Sequence, residues 1–127
     1  MIGDRLLLDT HVLLWWAEDD PRLPMVSDAT IRSAATVFVS VATAWEIAIK
    51  ISAGKLSLAM PLGDIVGEAG FEVLPITLEH ITEVARLPRH HRDPFDRMLV
   101  AQARHERLTL ITHDRRLFAY DVAIIRA

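Results

Sequence analysis

The chain predicts an α/β fold, a three-layer α/β/α sandwich around a central, mostly parallel sheet of four to five strands. Three observations lead there. Short β-rich apolar runs alternate with helix-patterned segments along the whole length, the runs lack the inside-outside alternation of a half-exposed sheet, and acids stand at or just past several of their ends. In open parallel sheets ligands bind beyond the carboxyl ends of the strands, so the same acids mark a candidate site.

Residues 5–8 are the first strand, closed by Asp9 and Thr10, after which Val12, Leu13, Trp15 and Trp16 fall at helical spacing. Residues 18–24 are polar and proline-bounded, hence a loop, and residues 27–35 read as a helix capped by Ser27. Residues 37–41 alternate like a strand. A helix runs from Ala42 to about Ser52, with Trp45, Ala48, Ile49 and Ser52 on one face and Gly54 as its stop. Residues 61–70 predict a short helix, 71–76 a strand, and 77–87 a helix whose first turn suits Thr77 and Glu79. Asp93 and Pro94 open a helix reaching about Arg107. Residues 108–112 form the next strand, Asp114 starts a helical turn through Phe118, and residues 122–125 make a last, edge strand.

At 127 residues and 51% hydrophobic content the chain matches one compact domain, residues 1–127, able to bury roughly two-thirds of its unfolded surface. A membrane span would need about 18 or more uncharged apolar residues. The richest stretch, residues 34–51, is broken by Glu46 and Lys50 and changes midway from β-branched to helix-forming residues. Absence of cysteine excludes disulfides and thiolate metal sites and leans to the cytoplasm, and residues 1–5 do not resemble a signal peptide. Acids outnumber Lys and Arg by 17 to 14, which excludes a protein held to nucleic acid by net charge. A local patch remains, with Arg86, Arg89, His90, His91, Arg92 and Arg97 around Pro88 and Pro94. No internal repeat, low-complexity segment or linker interrupts the chain.

Four acids in apolar company carry the functional information: Asp9, Glu46, Asp96 and Asp114. Each has an ordinary structural role to hand. Asp9 can cap a helix starting at Thr10 or His11, and Asp114 the turn before Leu117. Glu46 can pair with Lys50 one turn on, an exposed pair worth only ~0.3 kcal/mol, yet Trp45, Ile47, Ala48 and Ile49 leave it little solvated face. In Asp93-Pro94-Phe95-Asp96, Asp93 suits the cap, Pro94 the first helical position and Asp96 a ligand role, although the spacing also permits the two acids to exchange roles. What separate caps leave unexplained is why acids mark several rim positions at once, because crowded carboxylates repel and raise one another's pKa. A Mg²⁺ or Mn²⁺ ion removes that penalty, accepts oxygen ligands, and supports hydrolysis of phosphodiesters by activated water. The six histidines show no zinc spacing, and His90-His91 reads as a solvated loop. Gly54-Lys55 lacks the rest of a phosphate-binding loop, and Trp15, Trp16 and Trp45 suit core or interface better than base stacking.

Leu7-Leu8-Asp9-Thr10-His11, Trp45-Glu46-Ile47-Ala48-Ile49-Lys50, Asp93-Pro94-Phe95-Asp96-Arg97 and Thr112-His113-Asp114 together resemble the PIN-domain family, and more narrowly its VapC-type toxin ribonucleases of type II toxin–antitoxin systems. The likeness covers nearly the whole chain, with the motifs in order. It implies a PIN-like sandwich and a Mg²⁺- or Mn²⁺-dependent endoribonuclease acting on RNA. It also implies a VapB-type antitoxin partner, a homodimer and contact with DNA only through the antitoxin, while the interrupted apolar stretches predict no membrane partner. By position it makes Asp9, Glu46, Asp96 and Asp114 the catalytic and metal-binding acids, with Thr112 beside the fourth. Cleavage by water would leave a 5′-phosphate and a 3′-hydroxyl, with Arg97 and residues 90–92 on the RNA backbone. Trp15, Trp16 and residues 47–58 are candidates to meet the antitoxin, and equally candidates for the core. Two rivals stand beside this reading. One is a catalytically silent PIN-like interaction or RNA-binding module. The other is a receiver-like phosphoacceptor domain, which wants adjacent acids after the first strand and an Asp ending a mid-chain strand, where residues 37–41 end without one.

Overall fold

In the computed structural model, which describes residues 4–127, five strands form one sheet: β1 (Arg5–Leu8), β2 (Thr36–Ser40), β3 (Glu72–Leu74), β4 (Thr109–Thr112) and β5 (Ile124–Arg126). Their order is β3-β2-β1-β4-β5, and every pairing is parallel, with Leu7 opposite Phe38 on one side and Leu110 on the other. The sheet expected to be mostly parallel is parallel throughout among the described residues. From β1 the chain builds outward to β3, then returns to place β4 on the other flank of β1. The order therefore reverses between β1 and β4, which opens a crevice at their carboxyl ends. The reading of a missing leader concerns partly residues 1–3, which lie outside the described residues.

Both faces of the sheet are covered, and β1 shows why its sequence is an unbroken apolar run. Leu6 and Leu8 face one core with Val12, Trp15, Ile31 and Val66, drawn from α1 (Thr10–Ala17), α2 (Met25–Ser33) and α4 (Leu62–Ala69). Leu7 faces the other, with Leu99, Val100, Leu110 and Leu117. That core is supplied by α5 (Leu78–Arg86), α6 (Pro94–Glu106) and a 3₁₀ turn at Arg115–Ala119. All three β1 leucines are fully buried, each worth about 2 kcal/mol against exposure. The helix α3 (Val41–Ser52) reaches both cores, through Ile47 and Ala42 respectively.

Several local expectations shift. The second helix begins at Met25, after Pro24, and Ser27 is not its cap but a buried interior residue whose Oγ lies 3.5 Å from the Arg126 carbonyl. Pro24 sets the extended entry, which puts Ser27 and Ile31, one turn apart, on the inward face. Val41 opens α3 instead of ending β2, because Ser40 takes the cap and its Oγ accepts from the Ala42 amide at 3.0 Å. The face of α3 carrying Trp45 and Ile49 points outward, the two being 62% and 45% exposed, while Ala42, Thr43 and Ile47 face inward. Trp15 and Ile47 are core residues, so the partner role open to them in the sequence falls away. Gly54 does end α3, taking φ +72 just past the cap, where a Cβ would be strained.

A buried polar network joins the layers. Ser40 Oγ donates to Gln102 Oε1 at 2.6 Å, and Gln102 Nε2 donates to the Pro75 carbonyl at 3.3 Å, tying β2 and α6 to the entry of α5. The Thr77 hydroxyl caps α5 by accepting from the His80 amide, and His80 Nδ1 accepts from the Thr77 amide in return, a capping box with histidine in the acid's usual place. Among the described residues no buried side-chain nitrogen or oxygen lacks a hydrogen-bond partner, and no helix is long and apolar enough to cross a membrane.

Candidate active site

Asp9 follows β1 directly, and its backbone amide donates to the Ile111 carbonyl of β4 at 3.1 Å, which pins it in the crevice between the two strands. Its two oxygens are used separately. Oδ1 accepts from the Val12 amide at 2.8 Å and so caps α1, while Oδ2 accepts from the Thr112 hydroxyl at the end of β4. The cap and the site acid are one residue. Only 4% of Asp9 is exposed, and burial raises its carboxyl above the ordinary value despite the bonds from Thr112 and Val12 that lower it.

Glu46 projects from α3 with 12% of its side chain exposed. The Thr10 hydroxyl donates to Oε1 at 2.6 Å and Lys50 Nζ stands 3.3 Å from Oε2, so the expected ion pair exists on a largely shielded carboxylate. At the start of α6 the question of Asp93 against Asp96 has a geometric answer for the cap. Asp93 Oδ1 accepts from the Phe95 and Asp96 amides at 2.8 and 3.2 Å, with Pro94 in the first turn. Asp96 turns instead toward the other acids. Burial first, then the charges of Asp93, Asp9 and Glu46, push its carboxyl up to about 7, against a smaller lowering by His91.

Asp114 completes the rim after β4. Its amide donates to Thr112 Oγ1 at 3.1 Å, its Oδ1 caps the 3₁₀ turn through the Arg116 amide at 3.0 Å, and Arg116 Nη2 reaches Oδ2 at 3.1 Å. Burial would raise this carboxyl, but hydrogen bonds from Arg116 and His91 outweigh it and hold the group at about 2. The structure links the four sequence-selected acids, and it brings two of them, Asp96 and Asp114, into one close group with His91. Asp9 and Glu46 act on Asp96 through their charge, and one histidine ring bridges Asp96 and Asp114.

That histidine, His91, was expected in a solvated loop and is only 5% exposed. Its Nε2 lies 2.8 Å from Asp114 Oδ2 and 3.0 Å from Asp96 Oδ2, and its Nδ1 accepts from the Asp93 amide at 3.1 Å. The one signal available in the sequence was its place two residues before a helix cap, within reach of that cap's own N–H. Arg97 corrects the reading in the other direction. Its guanidinium donates to the Val84, Leu87 and Pro88 carbonyls at the end of α5 and to the Tyr120 hydroxyl, which gives it a structural task, holding α5 on α6. Exposed Arg89 and Arg92 do stand beside His91, lining with it and Arg97 a cleft of about 610 Å³.

The donor chemistry fits a hard divalent cation. Carboxyl oxygens meet with no thiolate, and burial and neighbouring acids raise one of them, Asp96, to about 7, a cost that a cation would remove. The oxygens of Asp96 and Asp114 and the nitrogen of His91 all lie within 4.8 Å of one another.

A parallel sheet whose reversal point is followed by acids after β1 and β4 defines the class, and the chain belongs to the PIN-domain family, whose model matches residues 6–123. Within it, the chain is 30% identical over 115 residues to Ribonuclease VapC22 of Mycobacterium tuberculosis, covering 88% of each protein. Among solved structures, the VapBC2 complex of Rickettsia felis bound to promoter DNA superposes with a TM-score of 0.69 at 11% identity, covering 96% of this chain and 98% of that one. DNA-bound VapBC of Salmonella typhimurium gives 0.69 at 22% identity, over 99% and 98%. These two similarities concern the fold.

Proposed function

We propose that this protein is a metal-dependent endoribonuclease, the toxin of a VapBC-type pair, with Asp9, Glu46, Asp96 and Asp114 as its catalytic, metal-holding acids. The observation that carries this reading is the linkage of the acids: the Asp96 carboxyl is raised by burial and by the charges of neighbours that include Asp9 and Glu46, and His91 bridges it to Asp114. The family of the chain and its similarity to Ribonuclease VapC22 supply the substrate class. Asp9, Asp96 and Asp114 would hold Mg²⁺ or Mn²⁺ directly or through water, with Glu46 completing the cluster; the bound ion supplies charge neutralisation at the phosphate and a more acidic water.

The chain's own groups prepare that site. The Thr112 hydroxyl and the Val12 amide fix both oxygens of Asp9, and the Thr10 hydroxyl and Lys50 orient Glu46. Arg89 and Arg92, exposed beside the cleft, would contact phosphates flanking the scissile one. A water nucleophile needs no ribose 2′-hydroxyl, so the products would carry a 5′-phosphate and a 3′-hydroxyl. Residues 1–127 act in this reading as one domain, in the cytoplasm, as a homodimer. A VapB-type antitoxin binds the toxin, a pairing supported by the VapBC complexes among its structural neighbours, and in this reading contact with DNA comes only through the antitoxin.

Purified protein incubated with structured RNA should yield fragments with Mg²⁺ or Mn²⁺ and none in EDTA, and Asp9→Asn should lose at least about a hundredfold in rate. Cleavage that continues in EDTA, or an Asp9→Asn protein as fast as the parent, would sink the mechanism. Retained RNA affinity without fragments would point to the silent binding module.

A further inference from the structure

We propose that His91 is a positioning residue for the cation site: its Nδ1 accepts from the chain, and its Nε2–H donates to the acids and holds Asp96 and Asp114 in register, without the ring itself ligating the ion. This rests on the reading of those acids as a metal site.

The tautomer follows from geometry. His91 Nδ1 lies 3.1 Å from the Asp93 backbone nitrogen, and an amide N–H can only donate, so Nδ1 must present its lone pair. The ring hydrogen then sits on Nε2. That nitrogen faces only acceptors, Asp114 Oδ2 at 2.8 Å and Asp96 Oδ2 at 3.0 Å. Short spacing among His91, Asp96 and Asp114 taken alone would suit a histidine-containing transition-metal site. The amide of Asp93 argues against it, because the lone pair such a site needs points the other way.

Every other feature of the residue serves fixation. Its backbone amide donates to the Tyr120 hydroxyl at 3.1 Å, and Tyr120 is itself buried and receives Arg97 at 3.2 Å. The ring is thereby held at the cap of α6 through Asp93, at α6 through Asp96 and at the end of β4 through Asp114. Those two acids come from different segments and repel when ionised, and one donor between them sets their separation before a cation arrives. Groups that orient ligands in this way typically contribute about 10- to 100-fold to metal affinity.

The test separates the ring's two nitrogens. In His91→Asn the side-chain oxygen can take over the Nδ1 position and accept from the Asp93 amide, so the local turn is kept while the donor to the acids is lost. In His91→Gln the amide nitrogen can reach the Nε2 position. Long-range ¹H–¹⁵N spectra of the metal-free wild type should show the Nε2–H tautomer for His91. Mn²⁺ titrations followed by electron paramagnetic resonance should show affinity about 10- to 100-fold weaker for His91→Asn and largely recovered for His91→Gln, with thermal melts in EDTA reporting the fold of each. A hydrogen found on Nδ1 overturns the inference. So does a folded His91→Asn protein that binds Mn²⁺ as tightly as wild type, or a His91→Gln protein as weak as His91→Asn. Should the Asn variant not fold, the wild-type tautomer and the Gln variant still decide. A wild type that binds no Mn²⁺ removes the metal-site reading and this inference with it, whereas wild-type binding that His91→Asn retains removes this inference alone.

Discussion

Replacing Asp96 by Asn should change the pH dependence of stability in a way that tests the site's electrostatics without any metal or substrate. The Asp96 side chain is 19% exposed, and its carboxyl rises from the ordinary 3.8 to about 7 through burial and the charges of Asp93, Asp9 and Glu46. An acid with a raised pKa in the folded state loses its proton first in the unfolded state, so the fold is penalised as pH rises. In metal-free wild type the penalty is absent below about pH 4, grows by about 1.4 kcal/mol per pH unit up to about pH 7, and is constant above, near 4 kcal/mol in all. Asn carries the same shape and keeps an acceptor for His91, but no titrating group. Stability of Asp96→Asn relative to wild type should therefore improve by about 3 kcal/mol between pH 5 and pH 8, a shift of roughly 10 °C in melting temperature for a domain of this size. Urea unfolding of both proteins in EDTA at the two pH values measures it. Adding Mn²⁺ at pH 8 should then stabilise the wild type and leave the variant nearly unmoved. A stability difference that is the same at pH 5 and pH 8 would refute the reasoning, since it would mean that Asp96 ionises without penalty.

Three further outcomes follow from the same contacts. Arg97→Met should destabilise the protein by about 2 to 3 kcal/mol, because four acceptors at the α5–α6 junction lose a charged donor, while RNA affinity measured by gel shift stays within about twofold; a large affinity loss in a stable variant would return Arg97 to the RNA-binding surface. Thr10→Val should lower the cleavage rate without unfolding the chain, since Glu46 loses its 2.6 Å donor, and an unchanged single-turnover rate would count against Glu46 being held for catalysis. Thr77→Ala should cost about 1 kcal/mol of stability, read from the urea midpoint, through loss of the α5 capping box.

The acids illustrate how structure and function share residues in this chain. Asp9 and Asp114 both cap local helical structure, and both stand at the reversal point of the sheet. Helix starts lower the cost of holding ionised carboxylates, because unpaired amides and the helix dipole favour negative charge there. Capping is therefore no alternative to a site role for these residues. At α6 the two tasks are divided instead, with Asp93 taking the amides and Asp96 left to the cluster.

Much of this was legible in residue order. Unbroken apolar runs such as Leu6 to Leu8 require burial on both sides, which dictates a parallel sheet between helical layers, and acids just past strand ends then mark its rim. Element starts were less secure where two residues competed for one job, as Ser40 and Val41 did at α3 and Pro24 and Ser27 did at α2, because a helix may begin at any of several adjacent polar or proline positions. Tertiary structure alone decided what could not be encoded in local spacing. The strand order put Asp9 next to Thr112, more than a hundred residues away in sequence. Packing turned Trp15 inward and Trp45 outward, although both sit in predominantly apolar helices. The fold also buried His91 between two acids of different segments and set Arg97 against backbone carbonyls and the Tyr120 hydroxyl, structural tasks that their basic loop did not announce. Hydropathy and capping are properties of neighbours along the chain, whereas the pairing of a donor with an acceptor across the sheet exists only once the strands have chosen their order.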